Sequence, residues 1–280
     1  MPVLLPRTAE EAAALLADHP DAHLLAGGTD LMVEVNFNHR RPDTIIALRK
    51  VSEFSQWSID SHAGTVRIGA SVPYADMEVG ELARVLPALA AAARTVGSPQ
   101  IRAAGSIGGN LGTCSPAGDS LPVLSALDAT VHLLSSQGER SMSIHDFMVG
   151  PKRNARASGE LITAVTVPVS DGWQGYSKVG VRNAMVISVA SACLARQNGS
   201  LRLALGSVGP TVIRCRETES WLSSVAASGP SNLSRETVEE FGRRASDEAR
   251  PIDDHRSTAS YRRHAIKVLA ARLLERSAQQ

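Results

Sequence analysis

A glycine-dense stretch carries the strongest chemical signal in this sequence. Between Thr95 and Ala126 six glycines are interspersed with prolines and small hydroxyl residues. Ordering so many glycines costs backbone conformational entropy that no side-chain contact offsets. We therefore expect neither an ordinary helix nor a strand here. The stretch is nevertheless flanked by apolar runs at 82–96 and 121–127 that a folded domain would bury. Glycine-dense backbone inside a core indicates close approach to a ligand rich in phosphate or ring edges.

A second glycine segment lies nearer the N-terminus. The short apolar strand His23–Leu25 is followed by Ala26-Gly27-Gly28, and Thr29 or Asp30 can cap a helix that begins at Leu31. A strand, a glycine turn and a helix N-terminus together offer successive backbone N–H groups to an anion. An isolated Gly-Gly pair is more often only a tight turn. The chain contains neither the G-x-G-x-x-G dinucleotide fingerprint nor a P-loop.

Taken together, the two segments resemble a known family. The runs LAGGTDLM and GSPQIRAAGSIGGNLGTCSPAGDSLPVL are similar to those of the FAD-binding (medium) subunits of the molybdenum hydroxylases, the xanthine dehydrogenase and carbon monoxide dehydrogenase type. Further matches follow in the family's order: Gly159-Glu160-Leu161-Ile162-Thr163, Val167-Pro168 and Tyr176-Ser177-Lys178-Val179-Gly180. The resemblance extends to about Val208 and, more loosely, to the C-terminus.

The resemblance implies an α+β fold. A two-subdomain FAD-binding domain of the vanillyl-alcohol oxidase or PCMH type would be followed by a small α+β domain with an antiparallel sheet and helices. The turn-rich break 168–172 marks the boundary that we expect between them. The first domain would span 1–170, with subdomains of about 1–54 and 55–170, and the second would span 171–280.

Local patterns predict the elements of these domains. A capping box, Thr8-x-x-Glu11, opens a helix that runs to about Ala17. Strands are predicted at His23–Leu25, Thr44–Leu48, Gln56–Ile59, Thr65–Gly69, Thr130–Leu134, Leu161–Val167, Gly175–Lys178, Ile187–Arg196 and Leu201–Val208. Helices are predicted at Tyr74–Ala83, Pro87–Val96, Leu121–Leu127, Glu217–Ala226, Arg235–Glu248 and Thr258–Arg276. Strands followed by helices, without βαβ repetition, are typical of α+β domains.

The resemblance also implies which residues contact the flavin. The loop after the first glycine pair would cradle the FAD pyrophosphate through backbone N–H groups, and the second glycine motif would approach the ribityl chain and the ring. The cofactor-binding residues expected are Leu25, Ala26, Gly27, Gly28, Thr29, Asp30, Leu31, Met32, Val96, Ser106, Ile107, Gly108, Gly109, Asn110, Asp119, Ile162 and Lys178. No catalytic residue is expected on this chain.

Four of these residues have a second interpretation. Asp119 matches a contact near the ribityl hydroxyls, but it also stands where it would cap the helix that begins near Leu121, and the two roles are compatible. Val96 and Ile162 match positions at which the family packs or hydrogen-bonds the flavin, or they are ordinary core residues. Lys178 matches a family lysine beside the isoalloxazine, where a cation would raise the flavin's potential. The alternative for Lys178 is a solvated strand lysine.

Composition excludes several classes of protein. The net charge of the 280 residues is +1 and no Lys/Arg tract reaches five, so nothing indicates a nucleic-acid partner. No apolar run reaches about eighteen residues, and the first residues do not resemble a signal peptide, so neither a membrane span nor secretion is expected. The three cysteines form no C-x-x-C pair, which favours a reducing, cytoplasmic location. Three isolated thiols also cannot supply the four ligands of an iron–sulfur cluster. No metal site is expected.

The function implied by the resemblance is electron transfer within an assembly. A large subunit with the molybdenum cofactor would hydroxylate an N-heterocycle, such as a purine, or an aldehyde, and a small subunit would carry [2Fe–2S] clusters. FAD on this chain would pass electrons to an external acceptor, in a heterotrimer or a dimer of heterotrimers. The run 182–187 replaces a charged stretch of animal xanthine dehydrogenases, which leaves the acceptor open. The alternative within the family is a carbon monoxide dehydrogenase medium subunit.

Two alternatives come from other classes. A stand-alone flavin oxidase or reductase of the same fold would need a substrate-shaping domain with its own acid or base, and residues 171–280 show no such cluster. A scaffold that has lost its flavin is disfavoured because both glycine motifs are intact. The visible absorbance and the turnover of the purified chain distinguish these classes.

Overall fold

The computed structural model of the protein describes residues 2–225 and 233–279. The strands are β1 (Val3–Leu4), β2 (His23–Leu25), β3 (Ile45–Ala47), β4 (Trp57–Asp60), β5 (Thr65–Gly69), β6 (Thr130–Ser135), β7 (Gly138–Ser143), β8 (Met148–Gly150), β9 (Arg153–Asn154), β10 (Leu161–Pro168), β11 (Gln174–Val179), β12 (Ala190–Gln197), β13 (Ser200–Gly206) and β14 (Ile213–Arg214). The helices are α1 (Ala9–Asp18), α2 (Leu31–Asn36), α3 (Tyr74–Met77), α4 (Gly80–Val85), α5 (Pro87–Arg94), α6 (Pro99–Ala104), α7 (Ile107–Thr113), α8 (Ser120–Ala126), α9 (Ile144–Phe147), α10 (Arg216–Val225), α11 (Arg235–Glu248) and α12 (Ala259–Ala278).

The N-terminal part is a small parallel sheet with one packed helix. Its strands lie in the order β1-β3-β2, and α1 buries an apolar face against them. Thr8 caps α1 by accepting a hydrogen bond from the Glu11 N–H at 3.1 Å. The Glu11 carboxylate accepts from the Arg7 N–H at 2.7 Å instead of from Thr8, so the predicted capping box is completed one residue earlier in the chain.

A five-stranded antiparallel sheet forms the centre of the molecule. The strand order is β4-β5-β10-β6-β7, and in the middle Val165 pairs with Ile68 on one side and with Val131 on the other. Helices α3, α4, α5, α7 and α8 supply residues to the large apolar core on this sheet. The glycine-dense segment is therefore anchored on a rigid sheet.

The C-terminal sheet, ordered β11-β12-β13-β14, is buried on both faces. Along β12 the alternation of side chains divides them between two cores: Cys193 and Ala195 join the central core, whereas Ala192 and Leu194 pack in a second core with α11 and α12. The expected domain boundary falls between β10 and β11. The central core continues across that point.

Two expectations about helices are wrong. The predicted helix Tyr74–Ala83 is two helices, α3 and α4, because Gly80 adopts a φ of +71° that breaks the run. The glycine-dense stretch before residue 120 was expected to be irregular, yet it forms α6 and α7, with Ser98 and Ser106 as side-chain N-caps. The helix predicted at 121–127 is observed as α8. Caps and tertiary packing offset the entropy cost of glycine in these short helices. Ala226, the predicted end of the helix observed as α10, lies outside the described residues.

An ion cluster joins the central sheet region to the C-terminal sheet. The Asp128 carboxylate accepts hydrogen bonds from His145 at 2.8 Å and Arg214 at 2.7 Å, and it forms an ion pair with Arg202 at 2.6 Å. Burial opposes ionisation of Asp128, but the His145 hydrogen bond and the two arginines outweigh it and lower the pKa of Asp128 to about 2.

We expect Asp128→Asn to destabilise the fold by about 1 kcal/mol at neutral pH, because the carboxylate is partly solvated and its ion pairs are screened. The folded-state pKa lies below the unfolded one, so the contribution is complete above about pH 4 and is lost as the pH falls towards 2. The melting temperatures of the wild type and the variant should therefore converge between pH 5 and pH 2. Asp247→Asn, which removes an exposed helix pair, is the control and should change little. A difference in melting temperature that stays the same from pH 5 to pH 2 would contradict the role assigned to the Asp128 carboxylate.

Candidate cofactor site

One large cleft collects most of the residues that the glycine motifs predicted. It has a volume of about 770 Å³, within the range of roughly 300–1,000 Å³ typical of ligand sites. Of the expected cofactor-binding residues all but Met32, Ile107 and Lys178 line it: Leu25, Ala26, Gly27, Gly28, Thr29, Asp30, Leu31, Val96, Ser106, Gly108, Gly109, Asn110, Asp119 and Ile162. The two glycine segments, distant in sequence, thus form opposite parts of one site.

The loop after β2 presents unpaired backbone donors. Within the described chain, the N–H groups of residues 27–30 donate to no protein acceptor. Gly28 has a φ of +74°, and a Cβ at Gly27 would overlap the carbonyl oxygen of Ala104. The glycine pair is thus required for the turn and for its packing against α6. Consecutive free N–H groups in such a turn form a concave site for an anion such as a pyrophosphate.

We expected the side chain of Thr29 or Asp30 to cap α2, but the side chain of Asp30 does not cap it. Asp30 occupies the N-cap position but makes no capping hydrogen bond. Its carboxylate accepts from the Thr113 hydroxyl at 3.0 Å, at the end of α7. Asp30 therefore ties the loop after β2 to the second glycine segment.

The N-terminus of α7, in contrast, is already satisfied by the protein. The N–H groups of Ile107 and Gly108 donate to the carbonyls of Val72 and Ala70 at 3.3 and 2.8 Å. The Ser106 hydroxyl accepts from the Gly109 N–H at 3.2 Å. This helix end is therefore not a free anion site, and α7 contributes shape to the cleft more than donors.

Two different physical reasons account for glycine at the positions of α7. A Cβ at Gly108 would lie 2.6 Å from the carbonyl oxygen of Ala70, so internal packing excludes any side chain there. A Cβ at Gly109 would meet only the Ser106 hydroxyl at 3.3 Å, and one at Gly112 would meet only Ile162 at 3.9 Å. Within the described chain, a side chain at 109 needs only a small shift of the Ser106 hydroxyl, and nothing opposes a side chain at 112. Both line the cleft, so a closely packed ligand accounts for them.

Asp119 is a buried ion-pair partner and not a helix cap. It stands at the N-cap position of α8 without a capping hydrogen bond, so that interpretation is wrong. Its carboxylate accepts from the Tyr176 hydroxyl at 2.8 Å and from the Lys178 ammonium at 2.7 Å. Burial raises the pKa of Asp119 above its ordinary value, while the Lys178 charge and both hydrogen bonds oppose that rise.

Three expected contacts lie outside the cleft lining. Ile107 is fully buried in the central core, and Met32 lies in the first turn of α2. The Lys178 side chain is 8% exposed, which rules out the solvated-strand interpretation. Its ammonium donates to the carbonyls of Thr95 and Val186 in addition to Asp119.

Three cleft residues with an unpaired buried polar atom could not be predicted from the sequence. His23, Ser71 and Tyr74 line the cleft, and each has a buried polar atom without a hydrogen-bond partner in the described chain: His23 Nδ1, Ser71 Oγ and the Tyr74 hydroxyl. Buried polar atoms are rarely left unpaired in native proteins, so this cluster fits a polar ligand that completes them. None of the three belongs to a recognisable motif, and only the assembled fold brings them together.

The lining therefore fits FAD. Free loop amides suit the pyrophosphate, glycine surface suits the ribityl chain and ring, and unpaired polar groups suit the ligand's hydroxyls and ring edges. In residues 2–225 and 233–279 there is no group of three or more His, Cys, Asp or Glu that could hold a metal ion. Over the same residues no helix is long and apolar enough to cross a membrane.

Comparisons with known proteins agree with this geometry. The family model described as the FAD binding domain in molybdopterin dehydrogenase matches residues 1–170, and the CO dehydrogenase flavoprotein C-terminal domain matches residues 176–277. The chain is 32% identical to the glyceraldehyde dehydrogenase medium chain of Sulfolobus acidocaldarius, over 93% of this chain and 92% of that one. It is 30% identical to the xanthine dehydrogenase FAD-binding subunit of Escherichia coli O157:H7, over 95% and 92%.

A solved structure supports the fold. Quinoline 2-oxidoreductase from Pseudomonas putida 86 superposes with a TM-score of 0.91 at 24% identity, covering 100% of this chain and 97% of that one. The family models and the two relatives define a flavoprotein subunit of an oxidoreductase. The chain belongs to the FAD-binding subunits of the molybdenum hydroxylase family, and FAD is its cofactor. The resemblance, the α+β fold class and the flavin expected from the sequence are confirmed.

Gly109→Val tests the glycine surface of the cleft. We expect the unfolding free energy of the flavin-free protein to change by less than about 1 kcal/mol, because valine is no worse than glycine in a helix. Flavin occupancy, measured from the ratio of visible to ultraviolet absorbance, should fall to near zero. Gly159→Val is the matched control, because a Cβ there meets nothing within 4 Å and Gly159 does not line the cleft. Normal occupancy in Gly109→Val would remove the role assigned to Gly109.

Tyr74→Phe tests the unpaired hydroxyl. The Ser120 side chain neighbours the Tyr74 hydroxyl but makes no hydrogen bond of good geometry with it. Removing the hydroxyl should therefore leave the flavin-free protein as stable as the wild type or more stable. If FAD completes that hydrogen bond, affinity should fall by about 1 kcal/mol, or roughly fivefold. Calorimetry of the flavin-free protein and fluorescence titration with FAD measure the two effects. Loss of stability with unchanged affinity would show that the hydroxyl serves the fold.

Proposed function

We propose that this chain is the electron-transfer subunit of a multi-subunit molybdenum hydroxylase. Its FAD receives electrons from [2Fe–2S] clusters on a small subunit and delivers them to an external acceptor. A large subunit with the molybdenum cofactor hydroxylates the organic substrate. The single observation that carries the proposal is the cleft, whose free amides and glycine surface suit a dinucleotide cofactor. The name medium chain in a close relative supports membership of an assembly.

Within the cleft the residues divide the binding of FAD between them. The N–H groups of residues 27–30 hold the pyrophosphate, and Thr29 adds its hydroxyl. Ser106, Gly109 and Asn110 line the path of the ribityl chain and ring, and Asp119 faces the ribityl hydroxyls. Val96 and Ile162 complete the apolar walls. Bound FAD supplies the redox chemistry; the chain binds, orients and shields it.

The domain division at residue 170 is part of the same proposal. Residues 1–170 carry the cofactor and residues 171–280 form the C-terminal domain. The two family models, which end at 170 and begin at 176, support this division. A cytoplasmic location is supported by the free, buried state of Cys114, Cys193 and Cys215.

For the whole assembly we propose an N-heterocycle or an aldehyde as substrate. Relatives named for xanthine and for glyceraldehyde, at 30% and 32% identity, support this range. A carbon monoxide dehydrogenase is the second candidate, favoured by the description of the C-terminal family model. The proposed stoichiometry is a heterotrimer or a dimer of heterotrimers.

Purification of the full chain alone and within its assembly tests the proposal. Alone, it should bind one FAD that acid precipitation releases completely, and it should not oxidise xanthine or glyceraldehyde with a dye as acceptor. A tagged chain purified from its own cells should carry molybdenum, iron and hydroxylase activity. Turnover by the isolated chain would favour the stand-alone oxidase. A colourless chain would favour the scaffold.

A further inference from the structure

Helix α2 has an apolar face that the described chain does not cover. None of its six residues is buried. Val33 and the C-cap residue Phe37, four positions apart and therefore on one face, are 50% and 70% exposed. A helix this short is not stable by itself in water and depends on tertiary packing. FAD does not supply that packing at the outward face, because neither Val33 nor Phe37 lines the cleft.

The turn after α2 holds this face in a fixed position. The Phe37 N–H donates to the Val33 carbonyl at 3.0 Å, and the His39 N–H donates to the Glu34 carbonyl at 2.8 Å. The Phe37 ring stacks on the exposed His39 ring, with the two centroids 6.1 Å apart. An aromatic ring already held in place loses little conformational entropy when a partner covers it. Such aromatic anchors contribute much of the binding energy at protein–protein interfaces.

Basic side chains surround the apolar face. The Glu34 carboxylate pairs with Arg40 at 2.8 Å and with Lys152, from the turn between β8 and β9, at 3.9 Å. The Arg41 guanidinium donates to the Asn38 side chain at 2.6 Å, and within residues 2–225 and 233–279 it has no ion-pair partner. Basic residues outnumber acidic ones here, with Arg40, Arg41, Lys152 and Arg153 against Glu34 and Asp43.

This surface adjoins the cofactor cleft. We refer to Val33, Phe37, His39, Arg40, Arg41 and Lys152 as the α2 surface. Helix α2 begins directly after the loop 27–30, and Leu31, Glu34, Arg40 and Lys152 line the cleft. A protein seated on the α2 surface would therefore stand at the rim of the flavin site. Because electron transfer slows steeply with distance, a redox partner has to dock at such a rim.

A second apolar rim lies in the loop between β11 and β12. Val181, Met185 and Ile187 are each more than half exposed, and the latter two line the cleft. Residues 180–188 include one charged side chain, Arg182, which donates to the Met185 carbonyl at 3.1 Å. The two rims therefore differ in charge. A [2Fe–2S] cluster held by four thiolates is an anion, so electrostatic complementarity favours the basic α2 surface for an iron–sulfur partner.

We propose that the α2 surface is the docking site of the small [2Fe–2S] subunit, with Phe37 as the apolar anchor and Arg41 as the charge that guides the encounter. The proposal rests on the proposed function, which names this subunit as the electron donor, and adds the place where the donor binds. It also accounts for a short helix that keeps its apolar face in solvent: the partner supplies the packing that the chain itself lacks.

The first experiment measures binding of the FAD-loaded full chain to the rest of its assembly, purified without this chain. In Phe37→Ser the affinity should fall by about tenfold or more, mostly through faster dissociation. Arg41→Glu should slow association and weaken its dependence on salt. The matched controls on the other rim, Val181→Ser and Arg182→Glu, should keep both rate constants of the wild type. All four variants should keep wild-type flavin absorbance, because none of these residues lines the cleft.

Cross-linking then identifies the occupant. Cys114, Cys193 and Cys215 are buried, so a thiol-reactive photo-cross-linker reacts at an introduced, exposed cysteine. Asn36→Cys places the cross-linker beside Phe37 without removing the anchor, and Asn183→Cys places it on the other rim; both asparagines are exposed. After labelling and reassembly, the cross-link from position 36 should join the small subunit, and position 183 should give no cross-link to it.

Two results would overturn the proposal. One is an affinity in Phe37→Ser equal to that of the wild type. The other is a cross-link from position 36 to the large subunit or to a second copy of this chain in place of the small subunit. Failure of the proposed function is distinguishable from both, because the tagged wild-type chain would then be purified from its own cells without iron.

Discussion

The close approach of two glycine-bearing backbones is the constraint on which the cleft depends. Gly27 lies against the carbonyl of Ala104 with no room for a side chain, and a Cβ at Gly108 would lie 2.6 Å from the carbonyl oxygen of Ala70. The first contact fixes the loop after β2 to α6, and the second fixes helix α7 to the end of β5. The hydrogen bond between Asp30 and Thr113 then ties the two segments together. A site made from sequence-distant loops is thereby held by packed backbone, which is more rigid than side-chain contacts alone.

Sequence patterns could predict the elements with clear periodicity or caps. The bounds of β2, β5 and α11 agree with the prediction. A short apolar run before a glycine pair marks β2, and the alternation of Val66 and Ile68 marks β5. Strand β7 was missed because this edge strand is mostly exposed and its run, Gly138–Ser143, lacks apolar alternation. Helices α6 and α7 were missed because serine caps satisfy their N-termini, together with the carbonyls of residues 70 and 72 in the case of α7, and no local pattern reveals those carbonyls.

The site could be predicted where a motif encodes the backbone, but not where side chains meet only in the fold. The glycine motifs gave the loop and helix that line the cleft. Tyr74 carries no motif, and its unpaired hydroxyl becomes evident only once its surroundings exist. The surroundings of Lys178 come from residues 95, 119 and 186, so sequence alone suggested either a flavin contact or a solvated lysine, whereas the structure has a buried ion pair.

Strand β11 explains why a cofactor site in the first part of the chain needs the C-terminal sheet. Side chains alternate along a strand, so Gln174, Tyr176 and Lys178 point to one face. They reach the Val85 carbonyl, Asp119 and the Thr95 carbonyl respectively, all in the first part of the chain. The opposite face of the sheet packs against α12 in a second core. Because one strand joins that core to Asp119, the packing of α12 fixes the geometry of a charge at the cleft.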